Sequence, residues 1–546
     1  MQDTLIPIDL LHWLAAAAPI LILAFLLVQL RWTAQQAGTT GMFVAAAVAL
    51  LLFQTPVETL AAAGAKGVWD SAPILFVIWA ALFLYHVMNK AGGYEALRQG
   101  IVSFSRNELF IVVALGWVFT SFLQGIDGFG TPIVVVAPLL VAIGMRPVYA
   151  VAIPIIAHIW AKYYGTLGLG WIASLQVVDL NAATTAAMGT QTAGLMIIQV
   201  LLGGFTIVWM YGRWAAIRHA WPLILIISAI QGVGQLLVVQ FQPVLGVFIP
   251  AALAMLALYP LSRWRRYADP STDIPVRPAM RGDMTGDIAE KTPPMGLAMS
   301  FMPYGVLTLI TLGSALIDPL AEALGRFTVG LPFPDVATGY GIVNAAVDAY
   351  SPIAPLQNPG TSLALTAVLT WVIFTLRGYY KTWQTRHPDE DTSIIGGLIA
   401  SAIPASVPII AFLVMARVMD HSGQNEALAY GIAAVAPATV YAFMANGIGV
   451  IGAFATSSST SSTLMFSDLQ QTMAKLKELP VATILAAQNA GSNIGNAIGP
   501  ANVVLGASTA GISGREGDIL RKTLPWTLAA FVLTGGATVL MVMFGN

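Results

Sequence analysis

Residues 121–140 read SFLQGIDGFGTPIVVVAPLL, an apolar run interrupted by one aspartate and three glycines. Gly125, Gly128 and Gly130 argue against an unbroken helix, because glycine costs about 1 kcal/mol relative to alanine in a helix interior. Asp127 sits among apolar and glycine neighbours. In hydrocarbon every backbone polar group needs a partner, so a broken helix survives only inside protein or beside a watery cavity. The stretch is therefore expected to form a hairpin tip or an unwound joint, its freed amides and carbonyls turned toward a ligand. A half-helix starting there would offer backbone N–H groups to an anion.

The rest of the chain supplies the membrane. Of 546 residues, 57% are hydrophobic and 9% charged, whereas soluble globular proteins carry roughly 25% charged residues. Apolar runs recur, such as LHWLAAAAPILILAFLLVQL at 11–30, and as helices they span a hydrocarbon core of about 30 Å. The fold class is an all-α polytopic membrane protein. Candidate spans lie near 11–30, 40–54, 71–89, 107–124, 147–170, 188–211, 221–239 and 242–260. A second set lies near 301–322, 361–376, 394–416, 428–447, 481–500 and 525–544. Allowing for re-entrant pieces, about 12–14 crossings are expected.

Charge orients these spans. Arg31, the Lys90–Arg106 loop, Arg213 and Arg218, the arginines of 263–281, Arg377–Arg386, Lys475, Lys477 and Arg515–Lys522 mark cytoplasmic loops by the positive-inside rule. Both termini then face outward, which requires an even number of crossings. The N-terminus MQDTLIPIDL lacks a basic segment, so the first apolar run is expected to be a retained span. A net charge of −1 without a basic stripe gives no reason to expect nucleic acid, and the absence of cysteine excludes disulfides and thiolate metal sites. The polar stretch 261–300 reads as a cytoplasmic linker between membrane halves 1–260 and 301–546.

The halves echo each other. GIDGFGTP at 125–132 parallels GAFATSSS at 452–459. Each is followed by a Pro-Val that opens another apolar segment, at 147–148 and 480–481, and these end in AKYYGTLGLG and GSNIGNAIGP. Paired interruptions at corresponding positions of two halves point to a transporter binding site.

Within that frame the polar residues become candidates. Asp127 is an ionisable group at membrane depth, which by default marks a pathway or proton relay, though a structural ion pair is the plainer reading. Lys162 lies four residues after His158, on one helix face. Lys162 can hold a carboxylate or snorkel to the interface, and His158 can relay protons or simply be a hydrogen-bonded core residue. Arg417 offers a planar fork to a carboxylate, or marks a helix end beside Asp420 and His421. Thr456, Ser457, Ser458, Ser459 and Thr460 begin a run of eight hydroxyl residues that suits a carboxylate or Na⁺. Asn489, Asn493 and Asn496 fall at helical spacing, where they can bind substrate or join two helices. The proline-rich tract 344–360 reads as a loop or a re-entrant piece, with Asp348 solvated.

Three segments carry a resemblance. FLQGIDGFGTPIVVVAPLLVAIGMRPVYA, GAFATSSSTSSTLMFSDLQ and AAQNAGSNIGNAIGPANVVLGASTAGISGREGDILR, in that order, resemble the signatures of the L-lactate permease family. The resemblance covers essentially the whole chain. It implies a secondary carrier for lactate, glycolate and related 2-hydroxymonocarboxylates in the inner membrane, usually a proton symporter, with inverted repeats and two re-entrant or broken-helix hairpins. The substrate site is then expected at Gly128, Phe129, Gly130, Thr131, Lys162, Arg417, Thr456, Ser457, Ser458, Ser459, Thr460, Asn489 and Asn493, with Asp127 and His158 carrying protons. No cofactor is expected beyond a coupling ion, H⁺ in preference to Na⁺; the partners are a small organic anion and the bilayer, with a homo-oligomer left open. Some members carry glutamate at Gln124, alanine at Asp127 or aspartate at Ser459, and Lys162 is not typical of them. An added cation would suit a sulfonated or dicarboxylic anion, which stands as the alternative substrate class. Repeated filter motifs of a channel are absent, as are HExxH, GxSxG and any cysteine nucleophile, so neither a channel nor an enzyme is favoured.

Overall fold

The computed structural model describes residues 6–7, 9–30, 32–102, 105–126, 128, 130–270, 273–281, 295–388 and 393–544. Asp127 and Phe129 lie outside the described residues. Among the described residues, nine helices are long and apolar enough to cross a membrane, and four shorter apolar helices accompany them. The longest, Ala182–Val238, bends where Gly212 and Arg213 leave helical geometry, and so carries two of the expected spans. The chain is a multi-pass helical membrane protein.

Two boundaries differ from the sequence reading for clear reasons. The span expected to start at 71 runs from Val57 to Asn89, because Lys66 and Asp70 are buried within it and have partners. The span expected at 428–447 is split at Ala436 and Pro437, and the crossing helix is Ala438–Thr456. Proline disfavours helical geometry at the residue before it, and Ala436 is extended. The tract after the Leu297–Leu316 helix is no plain loop either: strands Val329–Phe333 and Val347–Ile353 pair antiparallel. Asp348, in the second strand, is exposed as expected.

The internal echo appears as two matched units. The first hairpin joins Thr120–Ile126, the last turns of the Glu108–Ile126 span, to Thr131–Ala142. The first broken helix follows, with Pro147–Ala157 separated from Gly165–Val177 by a 3-10 turn. The second hairpin joins Ala438–Thr456 to Ser459–Leu476, and the second broken helix joins Val481–Gly495 to Pro500–Thr509 through another 3-10 turn. The units pack crosswise. Thr131–Ala142 lies on Pro500–Thr509 of the other half, and Ser459–Leu476 lies on Gly165–Val177.

This crossed core meets a scaffold in which Ile394–His421 packs on Val57–Asn89 and on Ala34–Leu52. The described part of the 261–300 linker lies on the first half, where Arg277 Nη1 sits 2.9 Å from Glu108 Oε2 and Tyr211 OH donates to Glu108 at 2.7 Å.

Small residues let these helices approach closely, as membrane packing requires. A Cβ on Gly67 would come 2.6 Å from Val414 Cα, and one on Gly491 would come 2.0 Å from the Asn446 carbonyl oxygen. Both obstacles are rigid backbone. Gly491→Ala is therefore expected to separate Ala438–Thr456 from Val481–Gly495 and to destabilise the protein by about 1–3 kcal/mol or more. A thermal melt of the purified variant in detergent checks this against Gly536→Ala, whose Cβ would meet nothing within 4 Å.

Candidate functional site

Each hairpin tip is tied to the broken helix that follows it. At the first tip, Gly128 N–H donates to Thr166 Oγ1 at 2.9 Å, and Lys162 Nζ donates to the Gly128 carbonyl at 3.3 Å. At the second, Asn496 Nδ2 donates to the Ser457 carbonyl at 3.0 Å, and Ala501 N–H donates to Ser457 Oγ at 3.0 Å. Asn502 Nδ2 in turn donates to Asn496 Oδ1 at 2.6 Å. The backbone is strained where these ties form. Thr166 and Leu167 both have φ of 50° and Ser457 has 54°, in the left-handed region that L side chains rarely occupy.

Between the two tips lies a cavity of about 290 Å³, near the lower end of small-molecule sites. The first half contributes Gln124, Gly128, Gly130, Lys162, Thr166 and Leu169, and the second contributes Thr456–Ser461, Asn496, Ala501 and Asn502. Pro404, Ala405, Pro408 and Ile409 of the scaffold helix Ile394–His421, together with Ala34, complete the lining. Among the described lining residues Lys162 is the one cation, and none is a carboxylate.

Three helices also begin at this cavity. Gly130 precedes Thr131–Ala142; Ser458 caps Ser459–Leu476 by accepting from Ser461 N–H at 3.1 Å; Ala501 and Asn502 lie in the first turn of Pro500–Thr509. Helix N-termini carry unpaired N–H groups and partial positive charge. Together with the Lys162 ammonium and the lining hydroxyls they give the cavity the kind of donors that can hold an anion.

Comparison with known proteins bears on which family builds such a site. A family model described as L-lactate permease matches residues 12–544. The chain belongs to the L-lactate permease family. An L-lactate permease of Salmonella typhi is 27% identical, over 96% of this chain and 95% of its own. The glycolate permease GlcA of Escherichia coli K12 is 26% identical over 96% and 95%. The L-lactate permease of Bacillus subtilis 168 is 27% identical over 96% and 94%. Among solved structures, the YdaH transporter of Alcanivorax borkumensis matches 88% of this chain and 87% of its own at 14% identity, with a TM-score of 0.44.

In this lactate permease family member, not every expected residue reaches the cavity. Gly128, Gly130, Lys162, Thr456, Ser457, Ser458, Ser459 and Thr460 line it, and Thr131 is buried beside Gly130. His158 is buried away from it, its Nδ1 at 2.5 Å from the Pro154 carbonyl. Asn489 and Asn493 are fully buried, and Asn489 Nδ2 lies 3.5 Å from Thr192 Oγ1 of the Ala182–Ser228 helix. Asn489 thus meets the neighbouring helix, whereas neither the nitrogen nor the oxygen of the Asn493 side-chain amide has a protein partner among the described residues. Gln124, Thr166, Asn496 and Asn502 line the cavity without having been expected there. The signal for Asn496 was present, since it continues the asparagine row to the point where the helix breaks.

Arg417 belongs to a second polar centre. Its Nε donates to Asp70 Oδ2 at 2.7 Å, its Nη2 donates to the Gln176 carbonyl, and its guanidinium lies 5.6 Å from the Tyr350 ring centroid. Tyr350 OH donates to Asp70 Oδ2 at 3.0 Å. Lys66 Nζ is 3.1 Å from His421 Nε2, and His421 Nδ1 is 3.2 Å from Asp420 Oδ2. The centre thus joins the two scaffold helices, the β-hairpin and the end of the first broken helix.

Two outcomes follow. Thr166→Val removes the acceptor for Gly128 N–H at nearly constant volume and is expected to cost about 1–3 kcal/mol, while Thr166→Ser retains most stability. Chemical or thermal denaturation of both variants reads the difference. Asp70→Asn leaves Arg417 with only the more distant Asp420 carboxylate, 4.0 Å from its Nη1, and is expected to cost about 3–5 kcal/mol, most of it recovered in the double variant Asp70→Leu, Arg417→Met. Equal melting of single and double variants would show that the pair is not the stabilising unit.

Proposed function

We infer that the chain is a secondary active transporter that carries lactate, glycolate or a close 2-hydroxymonocarboxylate across the cytoplasmic membrane together with a proton, with both termini outside. The observation behind this reading is the convergence of one ammonium, three helix N-termini and a hydroxyl-lined turn on one small cavity between paired broken helices. Such a site suits a single carboxylate. The names of the relatives supply the substrate class: they are lactate and glycolate permeases.

The residues divide the work by chemistry. Lys162 and the N–H groups of Ser459, Thr460 and Asn502, in the first turns of Ser459–Leu476 and Pro500–Thr509, hold the carboxylate. Thr456, Ser458 and the Gln124 amide offer donors and acceptors of a kind that reads a 2-hydroxyl group; Gln124 Oε1 is buried and has no protein partner among the described residues. Asp127, next in the chain to the cavity-lining Gly128, is the carboxyl assigned to the proton. A carboxylate moving with one proton crosses as a neutral pair, so transport would draw on the pH gradient alone.

Proteoliposomes test this directly. Labelled lactate and glycolate should show transient uphill counterflow, which a channel cannot produce. Lys162→Gln is expected to weaken substrate binding roughly 10- to 100-fold, the loss of a charge-assisted hydrogen bond of about 1.5–3 kcal/mol. Asp127→Asn should abolish pH-driven accumulation while sparing exchange. Accumulation that survives in Asp127→Asn, or that follows Na⁺ and stops in choline, would sink the proton assignment; a preference for sulfonated or dicarboxylic anions would overturn the monocarboxylate.

A further inference from the structure

A second cavity, of about 610 Å³, lies far from the first in sequence and chemistry. Its charged lining is Arg146, Arg281, Arg515, Arg521, Lys522 and Asp518. Asp518 is engaged, 2.8 Å from Arg515 Nη2 and 3.8 Å from Arg521 Nη1. One carboxylate therefore faces five cations gathered from three separate segments.

Two of those segments are held together by backbone bonds, to which Arg146 Nε adds a hydrogen bond to the Met280 carbonyl at 3.2 Å. Arg146 N–H donates to the Ala279 carbonyl at 2.7 Å, Arg281 N–H donates to the Gly144 carbonyl at 2.9 Å, and Met145 pairs with Met280 as an isolated β-bridge. The turn leaving the first hairpin is thus fixed to the end of the described linker, and the start of the Glu516–Phe544 helix completes the bowl. Lys522 Nζ lies 5.0 Å from the centre of the Tyr149 ring, a partner that supplies no formal charge. Gathering like charges in one bowl leaves a local excess of positive charge, partly screened because Arg515 and Arg521 are 58% and 84% exposed. An anion relieves it.

We propose that this bowl binds the phosphate headgroup of an anionic phospholipid. Phosphate oxygens suit several arginine forks at once, and basic pockets between membrane helices at this level take anionic lipid headgroups. A lipid is favoured over a free phosphate by what lies next to the bowl. Arg521 opens a face of the Glu516–Phe544 helix that continues through Leu524, Leu528 and Val532, exposed by 44%, 55% and 55%. Exposed apolar residues on a helix long and apolar enough to cross a membrane suit contact with acyl chains, which would run below a bound headgroup.

The experiment is native mass spectrometry of the full chain in detergent, titrated with phosphatidylglycerol, phosphatidylcholine or inorganic phosphate. Phosphatidylglycerol should bind with a saturable first site, and phosphatidylcholine should not. Arg281→Gln, Arg521→Gln, Lys522→Gln combined should weaken that site on the order of a hundredfold. Arg281→Lys, Arg521→Lys, Lys522→Arg should retain it, as should Lys381→Gln, which neutralises an exposed cation elsewhere. Equal binding of phosphatidylcholine, or unchanged phosphatidylglycerol binding in the neutralised variant, would overturn the proposal. Displacement by inorganic phosphate at equal concentration would assign the site to a free anion instead. Asp283, Asp287 and Glu290 of the linker lie outside the described residues. Lipid binding that emerges only when they are neutralised would make the linker the occupant and overturn the lipid.

Discussion

Backbone groups freed by a broken helix must find partners inside the protein, and that requirement organises the whole core. The structure meets it the same way twice. The tip of each hairpin exchanges hydrogen bonds with the break of the helix that follows it, through Thr166 and Lys162 in the first half and through Asn496 and Ser457 in the second. An unpaired buried donor or acceptor costs about 1–3 kcal/mol, so neither hairpin nor break is stable alone. Each needs the other, and the space between the two pairs is the cavity. Left-handed residues that would be unfavourable in isolation persist at Thr166, Leu167 and Ser457 because these ties fix them.

Charge in the scaffold obeys the same rule at higher stakes. Asp70 is fully buried at the level of an apolar helix, and it is met by an arginine and a tyrosine that arrive from positions 347 and 280 residues away. The arginine also accepts a structural duty toward the core, since it donates to the carbonyl of Gln176. Gln176 closes the same short helix, Gly165–Val177, whose first turn contains Thr166. This segment, which becomes regular helix only after the left-handed residues Thr166, Leu167 and Gly168, therefore has its N-terminal end at the cavity and its C-terminal end on the scaffold ion pair.

These relations also explain which parts of the fold could be read from the sequence. GIDGFGTP and TSSSTSST stand out because glycine and hydroxyl residues contrast with apolar surroundings, and local contrast is what a sequence displays. Lys162 stood out for the same reason, and it lines the cavity. Lys66 and Asp70 fell outside the span expected at 71–89, because their partners are distant in the chain and invisible to local pattern. The β-hairpin at 329–353 is mostly exposed and lacks strict alternation, since residues 329–333 contain both Gly330 and Pro332. Asn489 and Asn493 showed their polarity but not their direction. A helical row of asparagines defines a face, and only the packing of Val481–Gly495 against Ala182–Ser228 decides what that face meets. Asn496 reaches the cavity because the helix ends at that residue.

The cavity is chemically one-sided as a result. Every polar side chain in its described lining comes from the crossed core, where the two halves interleave. The scaffold contributes only Ala34, Pro404, Ala405, Pro408 and Ile409, a wall without a side-chain donor or acceptor. The hydrogen-bonding side chains of this cavity therefore all come from the core, and the scaffold presents it with an apolar wall. The prolines serve that wall in a particular way. Pro408 has no N–H to give to the carbonyl of residue 404, so this stretch of helix lacks a rung where it faces the site. A carbonyl freed on that wall accepts and cannot donate, so the donors that face the cavity are those of Lys162, the core amides and hydroxyls and the helix N-termini.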